Sequence, residues 1–342
     1  MQKVLVTGAN GFVGRHTLEA LTRTDARVIA MVRDPRRLPD GFTGDVRIGD
    51  IRDESFAGKA LQGVDAVCHC AAWTSAWAHA EESRRYYLEP TLAFLTAAAG
   101  AGVERMVLPS STTARVLDAL PPSRLRGAPD GLWPHMANVL RMERHMERLA
   151  ARGSTQVALR LGLFAGRGYG LGMLALLLPR LRTHLVPWAG KGRTTLPLID
   201  GADVGQAMAL AATASGLQGY LNPDVVGPEI PSTREVLGFL HDTYGYPRPH
   251  FGVSFPQAYA FARLMEGLAR LTRTPPFITR SIVLLLEETA ADNTEAERLL
   301  RYHPRVHWKD AIRAQLAEMQ RDRVKGLSMA RPLPAPLAKA DP

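Results

Sequence analysis

The stretch VLVTGANGFVGRH, residues 4–16, sets a β-branched apolar run before a G-x-x-G-x-x-G spacing and a helix-forming segment after it. Gly8, Gly11 and Gly14 suit a chain that turns tightly, brings backbone N–H groups against a pyrophosphate and packs a helix closely on a strand. The helix N-terminus adds partial positive charge for the phosphates. A glycine triplet alone says little, but here the strand precedes it and the helix follows it, as the mechanism requires. The stretch therefore predicts the first βαβ turn of a dinucleotide-binding sheet, with Gly8, Asn10, Gly11, Phe12, Val13 and Gly14 as cofactor-binding residues.

Outward from this loop, short β-branched runs at 3–7, 27–32, 45–48, 64–69, 104–108 and 156–160 alternate with helical patterns at 14–24, 82–101 and 135–152. That alternation predicts an α/β fold, a doubly wound parallel-sheet Rossmann fold. A further helix pattern at 203–214 precedes a strand-like piece at 218–222. Between these, 166–193 is Gly-rich and then Leu-rich, with Pro179 and Pro187 interrupting. Residues 223–256 are rich in proline, and 257–319 is helical. The expected organisation is a dinucleotide-binding domain of 1–165 plus 194–222. A smaller, mostly helical C-terminal substrate lobe of 166–193 plus 223–322 follows, then a flexible tail of 323–342.

The end of the second strand bears on the cofactor. An acidic residue there holds the ribose 2′-hydroxyl of NAD, whereas arginine accommodates a 2′-phosphate. The sequence runs Met31-Val32-Arg33-Asp34-Pro35-Arg36-Arg37. Arg33 at the strand end, with Arg36 and Arg37 close behind, favours NADP(H). Asp34 keeps NAD(H) open, should the strand end one residue later.

At 342 residues, 46% hydrophobic and 22% charged, the chain has the balance of a globular protein with ample core. No run of 18 or more apolar residues appears, which argues against a transmembrane segment. No signal peptide is visible at the N-terminus, so the expected location is cytoplasmic. Cys68 and Cys70 lie in an apolar run and read as a buried, reduced strand; no second Cys/His pair completes a metal site. The formal net charge of +9 arises from scattered arginines without a zinc-finger or RNP signature, so no nucleic acid is expected as a partner.

Taken together these residues resemble the extended short-chain dehydrogenase/reductase family, in its 3β-hydroxysteroid dehydrogenase-like and epimerase branches. The resemblance runs to about residue 320. It rests on TGANGFVG at 7–14, GDIRD at 49–53, VCHCAAW at 67–73 and VLPSSTTA at 107–114. LRLGLFAGRG at 159–168, LIDGADVGQAM at 198–208 and DNTEAERLLRYHPRV at 292–306 extend it. It implies that Asp50 and Ile51 border the adenine and that Ala71 lies against the cofactor. It also implies that Ser111 is the catalytic serine, with Thr112 beside it at the substrate. Trp73 and Trp77 fall where the family lines its substrate pocket. Homodimers that pair through the helices at 82–101 and 135–152 are also implied.

The family's catalytic pair departs sharply. Members carry Tyr-x-x-x-Lys, one helical turn apart, so that the ammonium lowers the phenol's pKa and the phenol exchanges a proton with substrate. In WPHMANVLRMERHMERLA, residues 133–150, Pro134 and Glu143 match the flanking positions, which sets His135 at the tyrosine and Val139 at the lysine. Tyr87 stands at the family's helical asparagine. Three readings follow. His135 replaces the tyrosine, since an imidazole with a pKa of about 6.5 exchanges protons near neutrality. Alternatively Ser111, Tyr87 or the substrate supplies the proton. Or redox chemistry is lost, leaving an isomerase, cyclase, dehydratase or NADP(H)-sensing protein. The leading expectation is an atypical NADP(H)-dependent reductase of a carbonyl or conjugated double bond in a largely apolar small molecule. A divergent site of this kind suits specialised metabolism.

Overall fold

Apolar runs with side chains on both faces become the strands of one sheet. On β1 (Lys3–Thr7), Leu5 enters one core cluster while Val4 and Val6 enter another on the opposite face. A strand buried on both sides is the mark of a parallel sheet with helices on each face. In this computed structural model, residues 1–119, 129–287 and 291–324 are described.

After β1 come α1 (Phe12–Leu21), β2 (Arg27–Val32), β3 (Asp45–Ile48), α2 (Glu54–Ala60) and β4 (Ala66–His69). A helical stretch then runs through α3 (Ala80–Ser83), a π turn (Arg84–Leu88) and α4 (Glu89–Gly100) into β5 (Arg105–Ser111). Helices α5 (Thr112–Ala119), α6 (Pro129–Leu132) and α7 (Pro134–Ala150) lead to β6 (Thr155–Leu161). Next come β7 (Leu163–Ala165), α8 (Met173–Leu181), β8 (Trp188–Ala189), β9 (Leu198–Asp200), α9 (Gly201–Thr213), β10 (Tyr220–Leu221) and β11 (Asp224–Val225). The C-terminal region is helical: α10 (Thr233–Tyr244), the short β12 (Gly252–Val253), α11 (Phe255–Thr272), α12 (Arg280–Leu286), α13 (Thr294–Leu300) and α14 (Trp308–Val324).

The main sheet has the order β3-β2-β1-β4-β5-β6-β10, with β11 pairing β6 beyond β10, and every pairing is parallel. This is the doubly wound Rossmann arrangement, whose chain direction switches between β1 and β4. One core cluster packs α2, α4 and α7 on one face; the other packs α1 and α9 on the opposite face. A third joins α8, α10 and α14.

Three local expectations need correction. The helix expected over 82–101 starts at Ala80 and contains the π turn, closed by the Glu89 N–H to the Arg84 carbonyl. Pro90 is the cause: without an N–H it cannot bond back to residue 86, and the wider turn absorbs the missing bond. Pro179 does not interrupt its segment but lies inside α8 near the C-terminal end. The piece at 218–222 is strand only at Tyr220–Leu221, and β11 continues the edge after Pro223. The tail expected from Arg323 falls outside the described residues except for its first two, which end α14.

Candidate active site

The glycine loop is closed so tightly that side chains are excluded. Gly8 has φ +59°, and a Cβ on it would lie 2.7 Å from the Ala71 backbone; one on Gly14 would lie 2.2 Å from the Gly8 carbonyl oxygen. The loop and the end of β4 are thus in direct contact at the switch between β1 and β4. Gly11 caps α1 with no side-chain acceptor, so the first amides of this helix are not held by a capping side chain. The Phe12 ring packs on Phe164 and Tyr169, with centroids 5.3 and 4.7 Å away, so its side chain is taken up by aromatic packing. This cradle, which a Cβ would fill, fits a dinucleotide pyrophosphate.

Its floor is cross-linked by a buried histidine. His69 Nδ1 is 3.0 Å from Thr7 Oγ1, its Nε2 is 3.2 Å from Thr91 Oγ1, and the Ala71 N–H donates to Thr7 Oγ1 at 3.2 Å. Burial lowers the His69 imidazole to about 4, so it is neutral here and ties β1, β4 and α4 together. Cys68 and Cys70 flank it as free thiols, and burial pushes the Cys70 thiol up to about 12.

At the adenosine end, β2 stops at Val32, so Arg33 is the first residue beyond the strand. Its guanidinium is largely exposed and stands 4.0 Å from Asp50. Arg52 binds Asp50 at 2.6 Å. Asp34 accepts from the Arg36 backbone N–H at 3.1 Å and from the Arg36 side chain at 2.9 and 3.0 Å, capping its own short turn Pro35–Arg37. The hydrogen bonds from Arg36 hold the Asp34 carboxyl below its ordinary value. Ile51 packs against the core cluster of α2 and α4, and Arg37 ends the turn.

The residues expected at the reaction end lie past β4 and β5. The π turn swings Tyr87 inward, and its ring stacks on His135 with centroids 5.0 Å apart and 22° between planes. Both are buried, at 5% and 7% exposure. Among the described residues His135 Nδ1 is buried without a hydrogen-bond partner. Burial lowers this imidazole to about 4, which corrects the expectation of titration near neutrality, and it also raises the Tyr87 phenol. Val139 is buried in the core cluster that also holds Met136, Leu140, Trp133 and Leu284, where the family pattern implies an ammonium. At the end of β5, Ser111 Oγ accepts from the Thr113 N–H at 3.2 Å, and Thr112 is buried as the first residue of α5.

The structure gathers Tyr87, Val139 and Trp73 in one apolar cluster, with His135 stacked on Tyr87, and sequence reasoning missed Trp133 in the same cluster. Trp133 is buried and its indole N–H donates to the Ser75 carbonyl at 2.7 Å, fixing the loop that carries Trp73 and Trp77. The signal was present, since an indole beside the helix-opening Pro134 needs a buried partner. Ser75 binds the Trp77 carbonyl at 2.7 Å and folds the loop on itself. Ala78 and His79 follow with φ +54° each, a left-handed pair of non-glycine residues beside Trp73. Such strain collects at functional clefts, and nothing in an Ala-His pair announces it. Helix α12 covers the loop: Ser281 donates to the Ala76 carbonyl and Arg280 to the Gly131 carbonyl.

Beneath this cluster, Glu143 accepts from Arg160 Nη2 at 2.6 Å and Nε at 3.2 Å, from Tyr220 OH at 3.1 Å, and from Ser110 Oγ. Arg160 is therefore committed to an ion pair that fastens α7 to β5, β6 and β10. It does not face a ligand.

A parallel sheet with a glycine cradle at its switch point and a side-chain cluster beyond β4 and β5 defines an NAD(P)-dependent oxidoreductase of the extended short-chain type. Residues 4–221 match the NAD dependent epimerase/dehydratase family, and the chain belongs to that family. It is 28% identical over 324 residues to the 4-hydroxy-2-methyl-3-oxo-4-farnesyl-3,4-dihydroquinoline-1-oxide ketoreductase of Stigmatella aurantiaca, covering 91% of this chain and 95% of that one. It is 28% identical over 328 residues to the 2-alkyl-3-oxoalkanoate reductase of Stenotrophomonas maltophilia, covering 91% and 97%. Among solved structures, that of gox2253 shares the fold with a TM-score of 0.73 and 23% identity, over 96% of this chain and 99% of the other.

The two buried histidines make folding sensitive to acid. An unfolded imidazole takes up a proton below about 6.5, whereas His69 and His135 do so only near 4, so the unfolded state binds more protons in that window. Stability is expected to fall as pH drops from 6.5 towards 4, by on the order of 2 kcal/mol per histidine at pH 5. Asp224, raised to about 6 by burial, titrates in the opposite sense over the same range. The check is therefore a comparison by chemical denaturation: His69→Asn should be less acid-sensitive than the unmutated chain, and equal slopes would remove His69 from the account.

Proposed function

We propose that the protein is an NADP(H)-dependent reductase acting on a ketone carbonyl of a largely apolar small molecule, without the Tyr-x-x-x-Lys pair. The observation that carries this reading is the unpaired Nδ1 of a neutral His135 in an aromatic and aliphatic wall beyond the cofactor cradle. The two relatives named above, whose names describe reduction of a farnesyl-bearing and an alkyl-bearing keto compound, support the substrate class. Residues 166–193 and 223–322 act as the substrate lobe in this reading.

Gly8, Asn10, Gly11, Val13 and Gly14, with the Phe12 backbone, hold the pyrophosphate. Ala71 borders the cofactor, and Asp50 and Ile51 border the adenine. When bound, the nicotinamide supplies hydride. Arg33 takes the ribose 2′-phosphate, supported by Asp34 being bound within its own turn. Trp73, Trp77 and Trp133 exclude water from the apolar body of the substrate. His135 donates a hydrogen bond to the carbonyl oxygen as negative charge gathers there, as a neutral imidazole can. Ser111 and Thr112 offer further hydroxyl donors at the same end of β5. The proton that completes the alcohol reaches the oxygen from these groups or from water. Pairing through α4 and α7 makes a homodimer the assembly expected by light scattering, and two free thiols, Cys68 and Cys70, suit a cytoplasmic location.

The direct test is loss of NADPH absorbance with long-chain 2-alkyl-3-keto acids and prenylated cyclic ketones. Consumption with matching alcohol product is expected, and cofactor binding without turnover of any carbonyl would instead favour the sensing reading. In a companion titration, NADPH should bind more tightly than NADH, with Arg33→Ala reducing that preference by about ten- to hundredfold. Equal affinity for both in the unmutated chain would defeat the assignment of Arg33.

A further inference from the structure

Helix α11 carries a face that no other described element covers. Ala258, Ala262, Glu266 and Ala269 are buried on its inner side, where Ala258 and Ala262 pack on Val283 of α12. On the outer side Phe261 is 48% exposed, Leu264 58%, Leu268 43% and Leu271 82%. Their spacing of three, four and three residues keeps all four in one stripe along the helix. The charges are one-sided too. The single acidic residue of α11, Glu266, is on the buried side and paired with Arg280 at 2.8 Å. Arg263 and Arg270 are exposed along one flank of the stripe, and Arg273 is exposed just past the helix end.

We propose that α11 is a membrane-contact helix that lies flat on an anionic phospholipid surface. The four apolar side chains enter below the headgroups, and Arg263, Arg270 and Arg273 meet lipid phosphates. An apolar stripe flanked by cations, on a helix not apolar enough to cross a bilayer, is the pattern of interfacial binding. The net charge of +9 draws the whole chain towards the same surface. A second copy of the chain is a poorer occupant, because a two-fold pairing of this face brings like-charged arginine rows together and α11 offers no exposed carboxylate to receive them. The position of the helix gives docking a use. Helix α11 packs on α12, and α12 covers the Trp73–Trp77 loop, so the contact sets the cover of the cleft at the bilayer, where an apolar ketone concentrates. That last link rests on the proposed substrate class; the docking does not.

Sedimentation of the full chain with vesicles tests it, in the absence of substrate. Vesicles of phosphatidylcholine containing phosphatidylglycerol should retain the protein, and phosphatidylcholine alone should retain at least about tenfold less. Leu264→Gln/Leu268→Gln and Arg263→Gln/Arg270→Gln should each weaken retention by a similar factor. All four sites are exposed, so circular dichroism and turnover of a short, water-dissolved ketone should match the unmutated chain. Retention that is absent, or indifferent to the leucine substitutions, overturns the proposal. So does a dimer by light scattering that Leu264→Gln/Leu268→Gln converts to monomer, since a second copy then covers the stripe. Because binding is read without chemistry, failure here and failure of the reductase reading are separate results.

Discussion

Arg160→Leu is expected to destabilise the fold by about 3–5 kcal/mol, a large part of the roughly 5–15 kcal/mol available to a protein domain. Arg160 and Glu143 are both almost wholly buried, and their pair is made through two nitrogens. Removing the guanidinium strands a carboxylate that keeps, among the described residues, the hydroxyls of Ser110 and Tyr220. Desolvation of that uncompensated charge dominates the loss, not the attraction that the pair supplied. Glu143→Gln in the Arg160→Leu background should therefore recover much of the deficit. Urea denaturation of the three variants gives the comparison. A double variant no more stable than Arg160→Leu would show that packing at the arginine, not the orphaned charge, sets the loss.

His135→Phe is expected to lower turnover about a hundredfold while leaving cofactor affinity unchanged. Phenylalanine keeps the stack on Tyr87 and fills the same space, so the substitution isolates the two ring nitrogens. It also removes a buried nitrogen with no partner, and stability should hold or rise slightly. The pH profile adds a second discriminant. With its imidazole lowered to about 4, His135 stays neutral between about pH 6 and 8, and its contribution is flat across that range. Turnover that climbs roughly tenfold per pH unit on acidification would make imidazolium the acid. Full activity in His135→Phe would move the proton path to Ser111, Tyr87 or solvent.

Much of this was legible in the sequence because the signals were local. The loop at 4–16 needed glycines where a Cβ on Gly8 or Gly14 would come within 2.7 or 2.2 Å of backbone, and a strand before and a helix after give such close packing its use. The six strands of the main sheet before β10 were visible as β-branched runs for the same reason. The cluster around His135 was half legible. Spacing put His135 and Val139 one turn apart, but not the depth of burial that lowers the imidazole, nor the apolar cluster that takes Val139. Those properties depend on residues far off in sequence, such as Leu284 and Tyr87. Nothing in the sequence pairs Arg160 with Glu143, 17 residues earlier, and only the fold sets them together. The short strands β7, β8, β9, β11 and β12 span two or three residues each and leave no periodicity to read.

The π turn before Pro90 gives the cleft a dependence on chain length as well as on side-chain identity. A π turn is an α-helix carrying one additional residue, so everything on its N-terminal side is rotated by about 100° relative to an unbroken helix. A relative lacking that single residue would keep the same tyrosines and the same histidine, yet present a different ring to His135. Between two such chains the wall around His135 would change by deletion alone, with no substitution among the residues that form it.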